Sequence, residues 1–224
     1  KNETTAINFD QEADMLYPTL NKVEELLKEY QMVPVFYEVL ADYMTPIRMF
    51  QALRKEGTPC FMLESVENKD QWGRYSFIGI NPKSEIKISG KELEVDGVKQ
   101  EEEFKMSYLS DLIEKYKSPV MEDYPKLTGG LIGYFGYDMI RQVEKKLTNV
   151  PEDDLEMPEC HLCMYDEISA FDHLANKAVI IQNIHKGDNI KQKYEELEDK
   201  AELILHKMER PVSLSKDRFT PAKT

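Results

Sequence analysis

The chain has 224 residues, of which 41% are hydrophobic and 32% charged, a composition typical of a globular protein with one large domain or two small ones. Its net charge of −13 would repel nucleic acid and anionic membranes, so partners of those two classes are not expected. The sequence has no apolar run near the roughly 20 residues that span a bilayer, no signal-peptide core and only three cysteines, which together predict a cytoplasmic protein without a disulfide framework.

The first third of the chain predicts a polar arm, two helices and a strand. Residues 1–15 are polar and are expected to form a flexible N-terminal arm. Apolar side chains recur at helical spacing over residues 20–30, with Thr19 as the N-cap. The run at residues 32–40 predicts a strand, and Thr45-Pro46 then opens a helix that extends to about Arg54.

Two short apolar runs at residues 60–63 and 75–80 have the length and composition of strands. The segment between them is polar apart from Trp72 and contains Gly73, which favours an antiparallel hairpin with a long loop. Strand alternation places Leu63 and Ser65 on one face of the first strand and Glu64 on the other.

Polar side chains gather at the open end of this hairpin, where Arg74, Tyr75 and Ser76 stand across the loop from Glu64. Such a set suits a small zwitterion, because Glu64 or a hydroxyl would bind an ammonium group and Arg74 would bind a carboxylate as a planar fork. The alternative is an ion pair at the strand end with solvated hydroxyls. The pattern alone favours this simpler interpretation, because ligand sites are few per protein.

The middle of the chain predicts a strand meander and a helix. Residues 84–104 alternate between apolar and polar side chains and form two or three strands, with turns at Gly90-Lys91 and Asp96-Gly97. An amphipathic helix follows over residues 106–116. Residues 127–137 hold four glycines among large apolar residues, which indicates a bulge or a close approach of another backbone.

The last third predicts a short helix over residues 138–147 that Asp138 caps, three strands over residues 160–165, 167–172 and 178–184, and a charged helix over residues 189–210. Residues 211–224 resemble a linker to a further domain. The fold is therefore expected to be α+β, with mostly antiparallel strands in two packed sheets and helices on the outside.

The chain offers no convincing catalytic or metal-binding constellation by pattern. Cys160-His161-Leu162-Cys163 is half of a zinc ligand set without a second pair at the right spacing, so a strand is the better interpretation and no metal is expected. The other histidines (His173, His185 and His206) have no evident partner and are interpreted as surface residues.

Five motifs in fixed order closely resemble the N-terminal region of anthranilate synthase component I, and the resemblance runs from about Tyr17 to Pro211. They are Val33-Pro34-Val35-Phe36-Tyr37-Glu38, Asp42-Tyr43-Met44-Thr45-Pro46, Leu63-Glu64-Ser65-Val66-Glu67, Trp72-Gly73-Arg74-Tyr75-Ser76-Phe77-Ile78-Gly79 and Gly129-Gly130-Leu131-Ile132-Gly133-Tyr134-Phe135-Gly136-Tyr137-Asp138.

The resemblance implies a lyase of tryptophan biosynthesis. Enzymes of this family convert chorismate to anthranilate and pyruvate with ammonia from a glutamine amidotransferase partner and with Mg²⁺. Their catalytic chorismate-binding domain would begin after residue 224, so this chain would hold the regulatory and scaffold part (residues 16–210), would be inactive alone and is expected to self-associate. The family's tryptophan feedback site matches Leu63, Glu64, Ser65, Arg74, Tyr75 and Ser76.

Two other identities stay open at this point. Component I of aminodeoxychorismate synthase, from the folate pathway, has a similar architecture. A stand-alone amino-acid-binding module would use the same hairpin without any enzyme attached. The Asp-x-x-Thr-Pro and Gly-Arg-Tyr-Ser-Phe stretches favour anthranilate synthase over the folate-pathway enzyme, and the tail at residues 211–224, which lacks periodicity, argues against the stand-alone module.

Overall fold

The computed structural model describes residues 16–42, 44–64, 73–144, 146–147 and 157–209. The elements within these ranges are β1 (Leu16–Tyr17), α1 (Leu20–Leu26), β2 (Met32–Leu40), α2 (Pro46–Leu53), β3 (Cys60–Leu63), β4 (Tyr75–Ile80), β5 (Ser84–Ser89), β6 (Glu92–Val95), β7 (Val98–Lys99), α3 (Ser107–Lys115), β8 (Gly130–Phe135), a 3₁₀ helix (Tyr137–Gln142), β9 (Cys160–Tyr165), β10 (Glu167–Asp172), β11 (Lys177–His185) and α4 (Ile190–Glu209). The predicted arm, the predicted linker and Ser65 lie outside the described residues.

The strands form two antiparallel sheets, which confirms the predicted fold class. Sheet A has the order β1-β2-β11-β10-β4-β3, and sheet B has the order β7-β6-β5-β9-β8. The central strands β2 and β11 are buried over almost their whole length, which explains why both sequences are nearly continuous apolar runs. No helix within the described ranges is long and apolar enough to cross a bilayer.

The helices lie outside the two sheets, as predicted. Helices α1, α2 and α4 cover one face of sheet A, where Val23, Met49 and Leu197 are almost fully buried. The other face of sheet A packs against sheet B through a second cluster that includes Phe36 and Tyr165. Helix α3 covers the far face of sheet B. Each large apolar side chain buried in these layers stabilises the fold by about 1.5–3 kcal/mol.

The turns and caps follow local sequence chemistry. Asp96 and Gly97 both adopt positive φ, and the meander they belong to has three strands. The Thr45 hydroxyl accepts a hydrogen bond of 3.2 Å from the Arg48 amide, and Pro46 occupies the first turn of α2. Thr19 is the N-cap of α1 as predicted, although its side chain makes no capping hydrogen bond.

The glycine-rich segment forms β8 and lies very close to β9. A Cβ atom on Gly133 would lie 1.9 Å from the His161 carbonyl oxygen, so only glycine fits there and the predicted close approach is confirmed.

The sequence predicted a helix over residues 138–147 with Asp138 as its N-cap, and both the kind of helix and the capping residue are wrong. The structure has a 3₁₀ helix over Tyr137–Gln142 with Gly136 as its N-cap. Asp138 instead accepts a 2.8 Å hydrogen bond from Arg141 Nε three residues on, a spacing that a 3₁₀ turn brings into line.

Candidate functional site

The predicted hairpin is present, and its two strands have the predicted bounds. Strand β3 is the edge of sheet A and pairs antiparallel with β4, with Leu63 opposite Phe77 and Met62 opposite Ile78. Strand β4 pairs on its other side with β10. Residues 65–72 of the connection, which include Ser65, lie outside the described residues.

The pleat divides the predicted site residues between the two faces of sheet A. Tyr75 packs with Phe77 in the cluster between the sheets, whereas Ser76 and Ile78 are on the helix side. Leu63 is opposite Phe77 and exposes 47% of its surface. Glu64 lies one residue past the end of β3 and is exposed. The structure therefore places Ser76 and Tyr75 on opposite faces of the sheet.

Ser76 has a partner that the sequence did not reveal. Its side chain is fully buried, and its hydroxyl lies 2.8 Å from Nε2 of His173. The His173 backbone amide also donates to the Arg74 carbonyl oxygen at 2.9 Å. These two bonds join the end of β10 to the start of β4. His173 is exposed, as predicted, but it has the hydrogen-bonding partner that the sequence did not indicate.

Arg74 makes the ion pair that the simpler interpretation expected, although its partner is Asp172 and not Glu64. Arg74 Nε donates to both carboxylate oxygens at 3.0 and 2.9 Å, and Nη2 donates to Oδ2 at 2.5 Å. Asp172 also accepts from the amides of Leu174 and Ala175 at 3.0 and 3.1 Å. The carboxylate is thus surrounded by donors, which fixes the orientation of the guanidinium.

Each member of this pair shifts the pKa of the other in the direction that favours its charged form. The hydrogen bond to Asp172 raises the pKa of Arg74. Burial alone would raise the pKa of Asp172, but the Arg74 guanidinium and the two backbone amides more than offset it and hold that pKa below its usual range. Burial raises the pKa of Tyr75, so its hydroxyl stays protonated near neutral pH.

A pocket of about 490 Å³ opens beside this ion pair on the face of sheet A that looks toward sheet B. Its walls include the rings of Tyr17, Tyr75 and Tyr124, and Tyr17 stacks on Tyr124 with ring centroids 4.9 Å apart. Glu38 and Lys177 form a 2.7 Å ion pair in the same pocket. Aromatic walls with both signs of charge suit a small zwitterion with an aromatic side chain.

Most of this pocket could not be predicted, because its walls come from parts of the chain far apart in sequence. The sequence gives one indication of Glu38, which is the single charged residue in the apolar run of β2. Tyr124 and Asp172 have none. Burial raises the pKa of Tyr124 to about 12, which keeps its hydroxyl neutral as a hydrogen-bonding group.

Comparisons with known proteins bear on the family of the chain. The family model described as chorismate binding enzyme matches residues 46–223. Anthranilate synthase component 1 of Acetivibrio thermocellus is 40% identical over 200 residues, which cover 85% of this chain and 39% of that protein. The same component of Pseudomonas aeruginosa is 30% identical over 190 residues, covering 82% of this chain and 38% of that protein.

A solved structure is similar as well. The crystal structure of anthranilate synthase component I from Streptococcus pneumoniae matches with a TM-score of 0.51 and 27% identity, and it covers 77% of this chain and 37% of that chain. The chain thus spans less than two fifths of the length of these relatives.

Proposed function

The chain belongs to the chorismate binding enzyme family, and from this premise we propose that it is the N-terminal regulatory and scaffold part of anthranilate synthase component I. The observation that carries the proposal is the 40% identity to a protein of that name across 85% of this chain. The complete enzyme would be a cytoplasmic lyase that converts chorismate and ammonia to anthranilate and pyruvate, and a glutamine amidotransferase subunit would supply the ammonia.

We place catalysis in a further domain outside this chain, because the chain spans only 39% and 38% of the length of the two relatives. We place the Mg²⁺ that the resemblance implies in that further domain and not in this chain. Magnesium prefers oxygen ligands, whereas the group of three metal-ligating side chains in the described part of the chain includes a histidine and a cysteine. Phe135 at the end of β8 and Tyr137 in the following 3₁₀ helix are exposed, which is consistent with a surface that the further domain, or a second copy of this chain, would cover.

The regulatory role would be feedback inhibition by L-tryptophan at the β3–β4 hairpin. Arg74 already lies in a pocket with tyrosine walls, and Leu63 and Glu64 stand at the end of the neighbouring strand. A ligand carboxylate would share the guanidinium with Asp172 or would bind Lys177. Ser76 is directed to the helix side, so its proposed contribution is to hold β4 in place through His173.

The deciding experiment is Ser65→Phe in the complete enzyme. The resemblance assigns Ser65 to the ligand site, where a bulky side chain would fill space that the ligand needs and would leave a buried ligand donor unpaired, at a cost of about 1–3 kcal/mol. Tryptophan inhibition should therefore weaken by about ten- to a hundredfold, while chorismate turnover and thermal stability are kept. Ser89→Phe, at the exposed end of β5, is the matched control and should leave inhibition unchanged.

A second arm uses the 224-residue chain and calorimetric titration with L-tryptophan. Arg74→Lys keeps the charge but loses the planar fork, so binding should weaken by about tenfold. Arg141→Lys makes the same change in the remote Arg141–Asp138 pair and should not alter binding. Unchanged inhibition in Ser65→Phe together with unchanged binding in Arg74→Lys would remove the hairpin from the site. Anthranilate formation by this chain alone would contradict the assignment of catalysis to another domain.

A further inference from the structure

Sheet B carries a cluster of ligating side chains that the proposed function does not use. Strands β5 and β9 pair with Glu85 opposite Cys163 and Lys87 opposite His161. Cross-strand partners share a face of the sheet, and residues two apart on one strand share it too. Glu85, Lys87, His161 and Cys163 therefore project from the same face of sheet B.

The ligating atoms lie close together. Nε2 of His161 is 2.6 Å from Oε1 of Glu85 and 4.0 Å from Sγ of Cys163. One ligand atom from each of the three residues lies within 4.8 Å of the other two. Ligands of a tetrahedral zinc ion, with bond lengths of about 2.0–2.3 Å, are about 3.3–3.6 Å apart. The observed separations bracket these values, so small side-chain rotations suffice to surround an ion.

The chemistry of the three atoms selects the class of metal. A thiolate, an imidazole and a carboxylate together suit Zn²⁺ and disfavour Mg²⁺ and Ca²⁺, which prefer all-oxygen ligand sets. Three protein ligands leave a fourth position for water or for a group from another molecule. His161 and Glu85 expose 28% and 30% of their side chains, which gives an ion a path from solvent to the buried thiol.

Neighbouring charges hold the side chains of the cluster in place. Oε2 of Glu85 is 3.3 Å from Nζ of Lys87, and Lys87 is 3.7 Å from Glu94. Burial alone would raise the pKa of Glu85, but the bonds to His161 and Lys87 more than offset this and lower it. Burial raises the pKa of the Cys163 thiol. A metal ion would take the place of the thiol proton and of the Glu85–His161 hydrogen bond.

We propose that Glu85, His161 and Cys163 form a binding site for a divalent transition-metal ion, with Zn²⁺ as the natural occupant. His161 and Cys163, from the segment Cys160-His161-Leu162-Cys163, are joined by a third ligand from β5. This ligand is Glu85, which lies 76 residues before His161 in the sequence. Cys160 takes no part, because it lies on the opposite face of β9 among the apolar residues beneath α3.

The test is titration of the purified 224-residue chain with Zn²⁺ and with Co²⁺, because this chain has only three cysteines and a thiolate-to-cobalt absorption band reports thiolate ligation. One ion should bind per chain, and binding should release at least one proton, seen as a dependence of the titration heat on the buffer. Loss of an outer-shell partner already weakens metal affinity by about 10–100-fold, so removal of a direct ligand in Cys163→Ala or His161→Ala should weaken it by at least about a hundredfold.

Two further variants decide the outcome. Cys160→Ala is the matched control on the same strand and should keep the cobalt band and the affinity. Lys87→Gln removes a competing cation and should tighten binding by about three- to tenfold, a gain that misfolding cannot imitate. Circular dichroism checks that each variant is folded. A missing thiolate band, equal loss in Cys160→Ala and Cys163→Ala, or no gain in Lys87→Gln would overturn the site.

Discussion

Sheets A and B each place a carboxylate beside a basic side chain, but the surroundings of the two pairs differ. In sheet A, Asp172 is 4% exposed and is bound by the Arg74 guanidinium and by two backbone amides. In sheet B, Glu85 contacts Lys87 and a histidine, and its side chain is 30% exposed. The Asp172 carboxylate accepts hydrogen bonds from donors within the protein, whereas the cluster in sheet B leaves ligating atoms that a cation can use.

This difference teaches what each cluster contributes. A carboxylate surrounded by fixed donors stabilises the local backbone and orients one arginine. A partly exposed cluster with an imidazole and a buried thiol contributes less to stability, because solvent screens its exposed charges. Its residues are better placed for binding than for folding.

The largest effect should come from a strand glycine in each sheet. Gly133→Ala in β8 would place a Cβ 1.9 Å from the His161 carbonyl oxygen, so β8 and β9 must separate, and unfolding free energy should fall by about 3 kcal/mol or more. Gly79→Ala in β4 would meet the Phe61 ring at 2.1 Å, and a side chain can rotate away. The Gly79→Ala variant should therefore lose only about 1–2 kcal/mol of unfolding free energy. Urea denaturation compares the two, and equal losses would show that β9 adjusts as readily as a side chain.

The next effect concerns the two Arg–Asp pairs. Asp172→Ala leaves the amides of Leu174 and Ala175 without an acceptor and Arg74 without its partner, so stability should fall by about 2 kcal/mol. Asp138→Ala breaks the pair with Arg141, where the Asp138 side chain is 43% exposed, and should reduce stability by at most about 1 kcal/mol. Chemical denaturation measures both. Similar losses would mean that burial does not distinguish the pairs.

The smallest effect is a pH dependence. The folded-state pKa of Asp172 is lower than its unfolded value, so its contribution is complete above the ordinary aspartate pKa of about 3.9 and is lost as pH falls through the lowered value. The stability advantage of the wild type over Asp172→Asn should therefore shrink below about pH 4. Glu85→Gln should show the same sign with a smaller amplitude, because Glu85 is more exposed. Denaturation of both variants and the wild type at a series of pH values measures the two amplitudes. A stability advantage of the wild type that does not change with pH would contradict the lowered pKa values of Asp172 and Glu85.

The sequence predicted the strands well because their signals are local. The hairpin strands β3 and β4 and the strand β2 have the predicted bounds, since each is an apolar run that ends at polar or glycine residues. Asp96-Gly97 predicted its turn because that dipeptide accepts positive φ. The 3₁₀ helix was missed because an aspartate near a helix start also suits an N-cap.

The sites were harder to predict because pairing between distant strands has no local pattern. The sequence points to Arg74, but its partner Asp172 is 98 residues away. The Cys160–Cys163 segment has the spacing of half a zinc ligand set, and nothing in it indicates that Glu85 lies across from Cys163. Tryptophan binding by Leu63, Glu64 and Ser65 stays a prediction.

The pairing of β2 with β11 has a consequence for how the chain is made. Lys177 of β11 contacts Glu38 of β2 across 139 residues of sequence. At about 5–20 residues per second, a ribosome needs roughly 7–30 seconds to synthesise that interval. Throughout that time β2 lacks the neighbour that buries it, whereas the β5–β6–β7 meander can pair at once. The nascent chain therefore exposes an apolar strand for seconds, and its yield in the cell should depend on chaperones that bind such segments.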